Sequence, residues 1–246
     1  MRISFVIPAH NEEAYIAACL RAIIACTTNR QDIEIIVVNN ASTDRTKEIV
    51  ATFPNVILID EPRKGLSQAR QSGFLASHGE LIANIDADTQ LPSDWIKTVE
   101  EIFSTQPKVV ALSGPCVYYD VSRVKNILIR DYYVIGYFFY LINRFVLRVG
   151  SVLQGGNVVI RRSALESIGG FDTSFSFYGE DADIARRLFP IGQVVFTFRL
   201  PMYSSGRRLS EEGFTTMAIR YAVNYFSTIF FKRAFTKTVV SLPKKK

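Results

Sequence analysis

The amino-acid sequence predicts an α/β fold: a mostly parallel sheet flanked by helices. Three observations carry that expectation. Short runs that are apolar on both faces alternate with longer helical patterns, as they do where strands lie beneath crossover helices. Several of these runs end abruptly in polar clusters. The composition, 48% hydrophobic and 21% charged over 246 residues, is that of a chain with a sizeable core.

In order, residues 3–7 read as a strand and 12–25 as a helix, then 33–38 as a strand and 43–53 as a helix. Residues 56–59 are the third strand, 66–77 the third helix and 81–85 the fourth strand. Ligands of such sheets bind beyond the carboxyl ends of the strands. Those ends carry PAHNE (8–12), NNAST (39–43) and DAD (86–88), so three polar clusters converge on one edge. Beyond Trp95 the pattern loosens into a helix to about residue 105, a strand around 109–119 and a long aromatic segment. A glycine turn, LQGGNVVIRRS, and an acidic cluster, FYGEDADIARRL, follow. No repeat or clear linker breaks the chain. The expected organisation is one domain over 1–205 and a basic amphipathic helical extension over 206–246, packed on the domain or on a membrane.

The net charge of +6 points to an anionic partner, a nucleotide or a membrane surface. Nucleic acid is not expected, because no recognition motif accompanies the charge. Cys19, Cys26 and Cys116 are odd in number and lack CxxC spacing, which argues against a disulfide framework or a zinc site and for a reducing, cytoplasmic setting. The opening MRISFVIPAHNEE is too short in apolar residues for a signal-peptide core.

Asp86 and Asp88 close the fourth strand with only Ala87 between them, so in extended chain both carboxylates point the same way. Their repulsion calls for a cation, and hard ions such as Mg²⁺ or Mn²⁺ take one or two carboxylates together with substrate phosphates. The plain alternative is a strand-end turn before a helix. Gly155 and Gly156 let backbone or ligand approach closely, and with Glu180 they are candidates for the acceptor or sugar site. Glu180, Asp181 and Asp183 open a helix whose dipole favours acids and whose Arg186 and Arg187 can pair with them. Alternatively, one of these carboxylates acts as general base on an acceptor hydroxyl.

Together, SFVIPAHNEE, IEIIVVNNASTDRT, KGLSQARQSG, LIANIDADT, LQGGNVVIRRSALESIGGFD and GEDADIARRL resemble the inverting family 2 glycosyltransferases of GT-A fold, in order and spacing, over residues 3–190. The resemblance implies that Pro8, His10, Glu12 and Asn40 line a nucleoside pocket, that Asp86 and Ala87 meet base and ribose, and that Asp88 ligates the metal on the diphosphate. It implies Asp181 as catalytic base. The chain departs from the family in having Asn39 and Asn40 where two aspartates are common, and His10 where Tyr is frequent. The QxxRW of processive members is absent; SSGRRLSEEG stands in roughly its place, so Arg207 or Arg208 either clamps the diphosphate or belongs to a solvated basic loop.

Two further segments are amphipathic. On a helical wheel over 124–148, Ile127, Leu128, Val134, Ile135, Phe138, Ile142, Phe145 and Val146 share one face, opposite Lys125, Arg130, Asn143, Arg144 and Arg148. Over 215–235 a stripe of Ile219, Val223, Phe226 and Phe230 opposes Arg220 and Asn224. Neither uncharged run is long enough to span a bilayer. The stripes either pack on the sheet or bind an anionic membrane surface, peripheral at its inner face.

The leading expectation is thus a metal-dependent enzyme moving one sugar from a nucleotide-diphosphate sugar to a lipid-linked or saccharide acceptor. The alternatives are a polyprenyl-phosphate sugar synthase, whose acceptor needs no base, and a non-catalytic nucleotide-sugar-binding protein, which has no use for the GEDAD carboxylate.

Overall fold

The computed structural model describes residues 1–147 and 152–236. Arg148 of the first amphipathic segment and residues 237–246, with Lys244 to Lys246, lie outside the described residues. The elements are β1 (Ile3–Ala9), α1 (Ile16–Cys26), β2 (Ile33–Asn39), α2 (Thr46–Ala51), β3 (Val56–Asp60), α3 (Leu66–Ala76) and β4 (Leu81–Ile85). They continue as β5 (Thr89–Gln90), α4 (Trp95–Thr105), β6 (Val109–Ser113), β7 (Cys116–Tyr118) and α5 (Arg123–Leu141), which runs into a π-helical turn, Ile142–Leu147. Then come β8 (Asn157–Arg161), α6 (Arg162–Ser167), α7 (Glu180–Leu188), β9 (Gln193–Phe196), β10 (Met202–Ser204), α8 (Arg207–Glu212) and α9 (Phe214–Phe231).

Seven strands form the main sheet in the order β3-β2-β1-β4-β8-β6-β9. All neighbours pair in parallel except β8, which is antiparallel to both β4 and β6. Side-chain alternation divides the core between the two faces. Ile3, Phe5 and Ile7 of β1 pack with α1, α2 and α4 on one face, and Val6 packs with Ile36, Val38, α3, α6 and α7 on the other. The fold is the expected α/β class. The strand expected at 109–119 is two, because Gly114 and Pro115 turn the chain from β6 in the main sheet to β7 in a small second sheet, β5-β10-β7. That second sheet pairs Ser204 with Thr89, which brings the segment entering α8 against the residues that follow β4.

The amphipathic helices sit the other way round from a helix packed by its apolar stripe. On α5 it is the tyrosine side that meets the body: Tyr133 stacks on Phe196 at 6.0 Å, Tyr140 is buried, and Tyr137 stacks on Tyr140. Its aliphatic and phenylalanine stripe faces outward, with Ile135 and Phe138 about 60% exposed (59% and 63%). On α9 the buried residues include Asn224 and Thr228, while Ile219, Phe226 and Phe230 are exposed. Asn224 Nδ2 donates to the Arg220 carbonyl and to Thr236 Oγ1, each at 2.8 Å, whereas the hydroxyl of the equally buried Thr228 has no hydrogen-bond partner.

β8 is anchored at its first residue. The fully buried Asn157 accepts from Trp95 Nε1 at 3.1 Å and donates to the Leu200 carbonyl at 2.8 Å, joining the sheet to α4 and to the chain before β10. Asn157→Ala strands an indole N–H and a carbonyl in the core, each costing about 1–3 kcal/mol. We expect a stability loss of about 2–4 kcal/mol, read as a lower urea midpoint at unchanged slope.

Candidate functional site

DAD forms a tight turn and not a continued strand. β4 ends at Ile85, and both the backbone N–H and the hydroxyl of Thr89 donate to the Asp86 carbonyl, at 3.2 and 2.5 Å. The two carboxylates nonetheless face one cavity of about 180 Å³, as the period-two argument anticipated for a different backbone. Ala87 points away into the hydrophobic core. The same cavity is lined by Gly155 and Gly156, which run beside Asp86, by Glu180 and Asp181, and by Arg207 and Arg208 of α8.

A residue that motif spacing did not single out holds these parts together. Arg70 of α3 is 1% exposed; its guanidinium donates to Glu180 and, at 3.2 Å, to Asp86 Oδ1. The signal for it is present in the sequence: Arg70 occupies the buried stripe of α3 with Ala69, Gly73 and Phe74, where a charge requires a buried partner. Gly155 and Gly156 act as the roof of this ion pair. A Cβ on Gly155 would lie 2.5 Å from Glu180 Oε1 and 2.8 Å from Arg70, and one on Gly156 would collide with the Asp86 carboxylate.

The three acids at the start of α7 have separate fates. Asp183 is neutralised by Arg186 and Arg187 at 2.7 and 2.6 Å, which is the pairing anticipated for the helix. Glu180 is buried against Arg70 and not free in the cavity; burial raises its carboxyl to about 7, with Arg70 opposing the rise. Asp181 is in no salt bridge among the described residues; its carboxylate accepts from the Ala182 N–H at 2.8 Å and is further favoured by its own backbone N–H and by the charge of Arg70. Burial raises its carboxyl as well. It is therefore a carboxylate at the cavity wall with proton-accepting capacity left over. Gly179, at φ +83, sets the turn that presents it, and the side chain of Thr228 on α9 packs so closely there that no Cβ would fit.

At the DAD end Arg207 faces a cluster of acids. It donates to Glu12, lies 3.4 Å from Asp88 Oδ2 and stacks over the Tyr15 ring at 4.7 Å. Asp88 also accepts from Ser204 at 3.3 Å, yet burial, with Glu12 and Asp86 adding repulsion, pushes its carboxyl up to about 7. Burial raises Glu12 too, and its Oε2 is enclosed without a hydrogen-bond partner. Two carboxylates against one guanidinium, with one Glu12 oxygen orphaned, fit a divalent cation completed by phosphate oxygens. Among the described residues no group of three or more His, Cys, Asp or Glu is placed to hold a metal by itself. Arg208 is likewise no solvated loop residue: it stacks on Phe177 at 4.4 Å and reaches Tyr178 Oη at 3.3 Å and Glu212 at 3.2 Å.

The remaining candidates stand at the ends of β1 and β2, outside the cavity wall. Pro8 is buried in β1 beyond the last residue paired with β4, where its missing N–H leaves no gap in that ladder. His10 is exposed, its Nδ1 2.6 Å from the Asn40 carbonyl. Asn40 does not present a free amide edge: Nδ2 donates to the carbonyls of Glu61 and Arg63 at 3.1 and 2.7 Å, and Oδ1 accepts from Gly65 N–H at 2.9 Å. Its side chain shapes the loop between β3 and α3.

Comparison with known proteins follows the same outline. The model of the family described as Glycosyl transferase family 2 matches residues 4–169. The probable glycosyltransferase YdaM of Bacillus subtilis is 30% identical over 202 residues, covering 78% of this chain and 47% of that protein. The glucosyl-dolichyl phosphate glucuronosyltransferase of Haloferax volcanii is 24% identical over 190 residues, covering 73% of this chain and 59% of its own. Among solved structures, the mannosyltransferase PcManGT from Pyrobaculum calidifontis, in complex with GDP-Man and Mn²⁺, matches with a TM-score of 0.71 at 23% identity, over 94% of this chain and 63% of that one. The chain thus spans about half the length of YdaM and somewhat more of the other two. Since the family match runs from β1 through the DAD turn to the glycine roof and beyond α6, the chain belongs to glycosyl transferase family 2 and has the GT-A fold.

Proposed function

We propose that this protein moves a single sugar from a nucleotide-diphosphate sugar to a lipid-linked or saccharide acceptor, with inversion, using Mg²⁺ or Mn²⁺, at the cytosolic face of a membrane. The observation that carries the reading is that the DAD turn and Asp181 line one small cavity, with Arg70 bridging Asp86 to Glu180, the residue before Asp181. The GDP-Man and Mn²⁺ bound by PcManGT and the lipid-linked substrate in the name of the Haloferax relative support the donor, metal and acceptor classes.

A divalent cation held by Asp88 would neutralise the charge building on the diphosphate leaving group. Arg207, already beside Asp88, adds a second positive charge that can turn to the phosphate oxygens. Asp181 accepts the acceptor's proton as its oxygen bonds to the anomeric carbon and the bond from that carbon to the diphosphate breaks. Attack and departure on opposite faces give inversion. Arg70 and Glu180 take no part in proton transfer; they fix the distance between the two ends. The second reading, a phosphate acceptor that needs no base, draws support from Arg208 and Arg220, whose guanidinium groups both reach Tyr178 Oη beside Gly179, at 3.3 and 3.2 Å.

Calorimetric titration of GDP and UDP with and without Mn²⁺ tests the metal assignment: Asp88→Ala is expected to weaken the Mn²⁺-dependent affinity by about tenfold or more while the melting temperature holds. An affinity that stays both unchanged and metal-dependent overturns it.

Asp181→Asn is expected to keep donor affinity and fold but lose about 10²–10⁴-fold in turnover to a hydroxyl acceptor, the usual contribution of a general base. Near-normal turnover to a phosphate-bearing acceptor would favour the second reading. The base works only when deprotonated, and burial raises the Asp181 carboxyl, so kcat/KM should climb with pH through a value above the ordinary carboxylate range and level off beyond it. Asp88, whose carboxyl burial pushes up to about 7, adds a limb of its own, so Asp181→Asn should lose only the Asp181 part of the rise, as pH-rate profiles on the two proteins would reveal.

A further inference from the structure

We infer that the outward faces of α5 and α9 form a docking surface for an anionic lipid bilayer, and that this surface delivers the acceptor to the mouth of the cavity. The second clause rests on the reading of the acceptor as lipid-linked; the first stands on the surface alone.

The two helices run side by side. Tyr132 of α5 meets Phe214 of α9 edge-on at 6.0 Å, and eleven residues further along each helix Asn143 Nδ2 donates to Tyr225 Oη at 2.7 Å. Asn143 sits in the π-helical turn that continues α5, and because both bridges advance by the same eleven residues the two segments are parallel across that seam. The polar and tyrosine sides are used up in the bridges and against the body. What remains outward is Ile127, Leu128, Ile135, Phe138 and Phe139 on α5, with Ile219, Val223, Phe226 and Phe230 on α9. The π-helical turn extends the patch by turning Phe145 and Val146 out, 66% and 71% exposed. Scattered apolar side chains are ordinary on a surface; an exposed apolar stripe on each of two helices joined by side-chain bridges marks a binding face.

Charge selects the occupant. Exposed Arg123, Lys125 and Arg130 on α5 face a single acid, Asp131, while α9 contains no acid and is followed by exposed Lys232 and Arg233. Apolar stripes with aromatics, rimmed by basic residues, match the boundary of an anionic bilayer, where acyl chains meet phosphate headgroups. No described helix is long and apolar enough to cross a membrane, so the geometry is that of helices lying on the surface.

The same helices frame the catalytic cavity. Met217 and Tyr221 of α9 line it, and Tyr133 of α5 reaches Gln154 Oε1 and the Cys116 N–H, both at 3.2 Å, on its wall. α9 also rests on Gly179, directly before Glu180 and Asp181. Lipid against the outer faces therefore lies one helix thickness from the proposed base.

Cosedimentation of the full chain tests this, with vesicles of phosphatidylcholine alone or mixed with phosphatidylglycerol. We expect binding to the mixed vesicles at low salt, partial release as salt screens the basic rim, and weak binding to phosphatidylcholine alone. The exposed-face variant Phe138→Asp/Phe226→Asp/Phe230→Asp should bind the mixed vesicles at least about tenfold more weakly while retaining its melting temperature and Mn²⁺-dependent GDP or UDP binding. Trp95, the single native tryptophan, is buried, so Phe138→Trp and Phe226→Trp supply reporters that brominated lipids should quench while Trp95 is spared. The inference is overturned if the wild type ignores anionic vesicles, or if the triple variant binds them as the wild type does. It is equally overturned if the chain is a dimer that the variant converts to monomer with no vesicle binding in either, since a second copy would then be the occupant. Vesicle binding without nucleotide binding in the wild type would sink the transferase reading and leave the lipid surface standing.

Discussion

The buried charge of Arg70 is the constraint on which the site depends. A guanidinium stays protonated at any working pH, and one taken almost wholly out of water is tolerated only where anions meet it with good geometry. Here the anions come from distant parts of the chain: Asp86 from the turn after β4, Glu180 from the start of α7. Loss of the buried Glu180 leaves Arg70 with only the half-exposed Asp86 to compensate it, a cost of about 3 kcal/mol. The ion pair thereby ties α3, the main sheet and α7 into one frame. The glycine pair belongs to the same constraint, because only a backbone without Cβ atoms can pass over Arg70, Glu180 and Asp86 at this distance.

α8 divides the cavity electrostatically. Consecutive residues on a helix point about 100° apart, so Arg207 and Arg208 serve different ends from one turn. Arg207 meets Glu12 and Asp88, where carboxylates outnumber cations; Arg208 joins Tyr178, Glu212 and Arg220, where the carboxylate is already shared by two guanidinium groups. One end thus attracts a cation and the other tolerates an anion. The small sheet is what allows this. By pairing β10 with β5, immediately after DAD, it delivers the chain to α8 at the one place from which Arg207 reaches Asp88.

How much of this could be read from residue order varies with the kind of interaction. β1 to β4 and the helices between them follow directly from apolar runs separated by helical spacing, since both faces of those strands are covered. The convergence of DAD with GEDAD follows from motif order, because the strands that carry or neighbour them share a sheet. The turn geometry of Asp86–Thr89 was not legible: period two describes extended chain, and the Thr89 bonds to the Asp86 carbonyl fold it back. Nor was the role of Asn40, whose hydrogen-bonding capacity suits a nucleobase edge as well as it suits the carbonyls of the loop after β3. Arg70 was visible in principle as a charge within a buried stripe. Its partners were not, lying 16 and 110 residues away.

The amphipathic helices expose a more general asymmetry. Periodicity identifies that a helix has two faces; it carries no sign for which face turns inward. In α4 the apolar face goes in and the opposite face carries Lys97, Glu100 and Glu101, charges that water satisfies. In α5 and α9 the other face is tyrosine, asparagine and threonine, groups able to satisfy one another inside a protein. Tyr140, Asn143, Asn224 and Thr228 are buried, and three of the four have hydrogen-bond partners, so inward placement of the polar side carries little desolvation cost. The apolar side is then free to face a different apolar medium. The deciding feature is the chemistry of the polar face: where it is charged the stripe seeks the core, and where it consists of neutral hydrogen-bonding groups beside a basic rim the stripe is available to lipid.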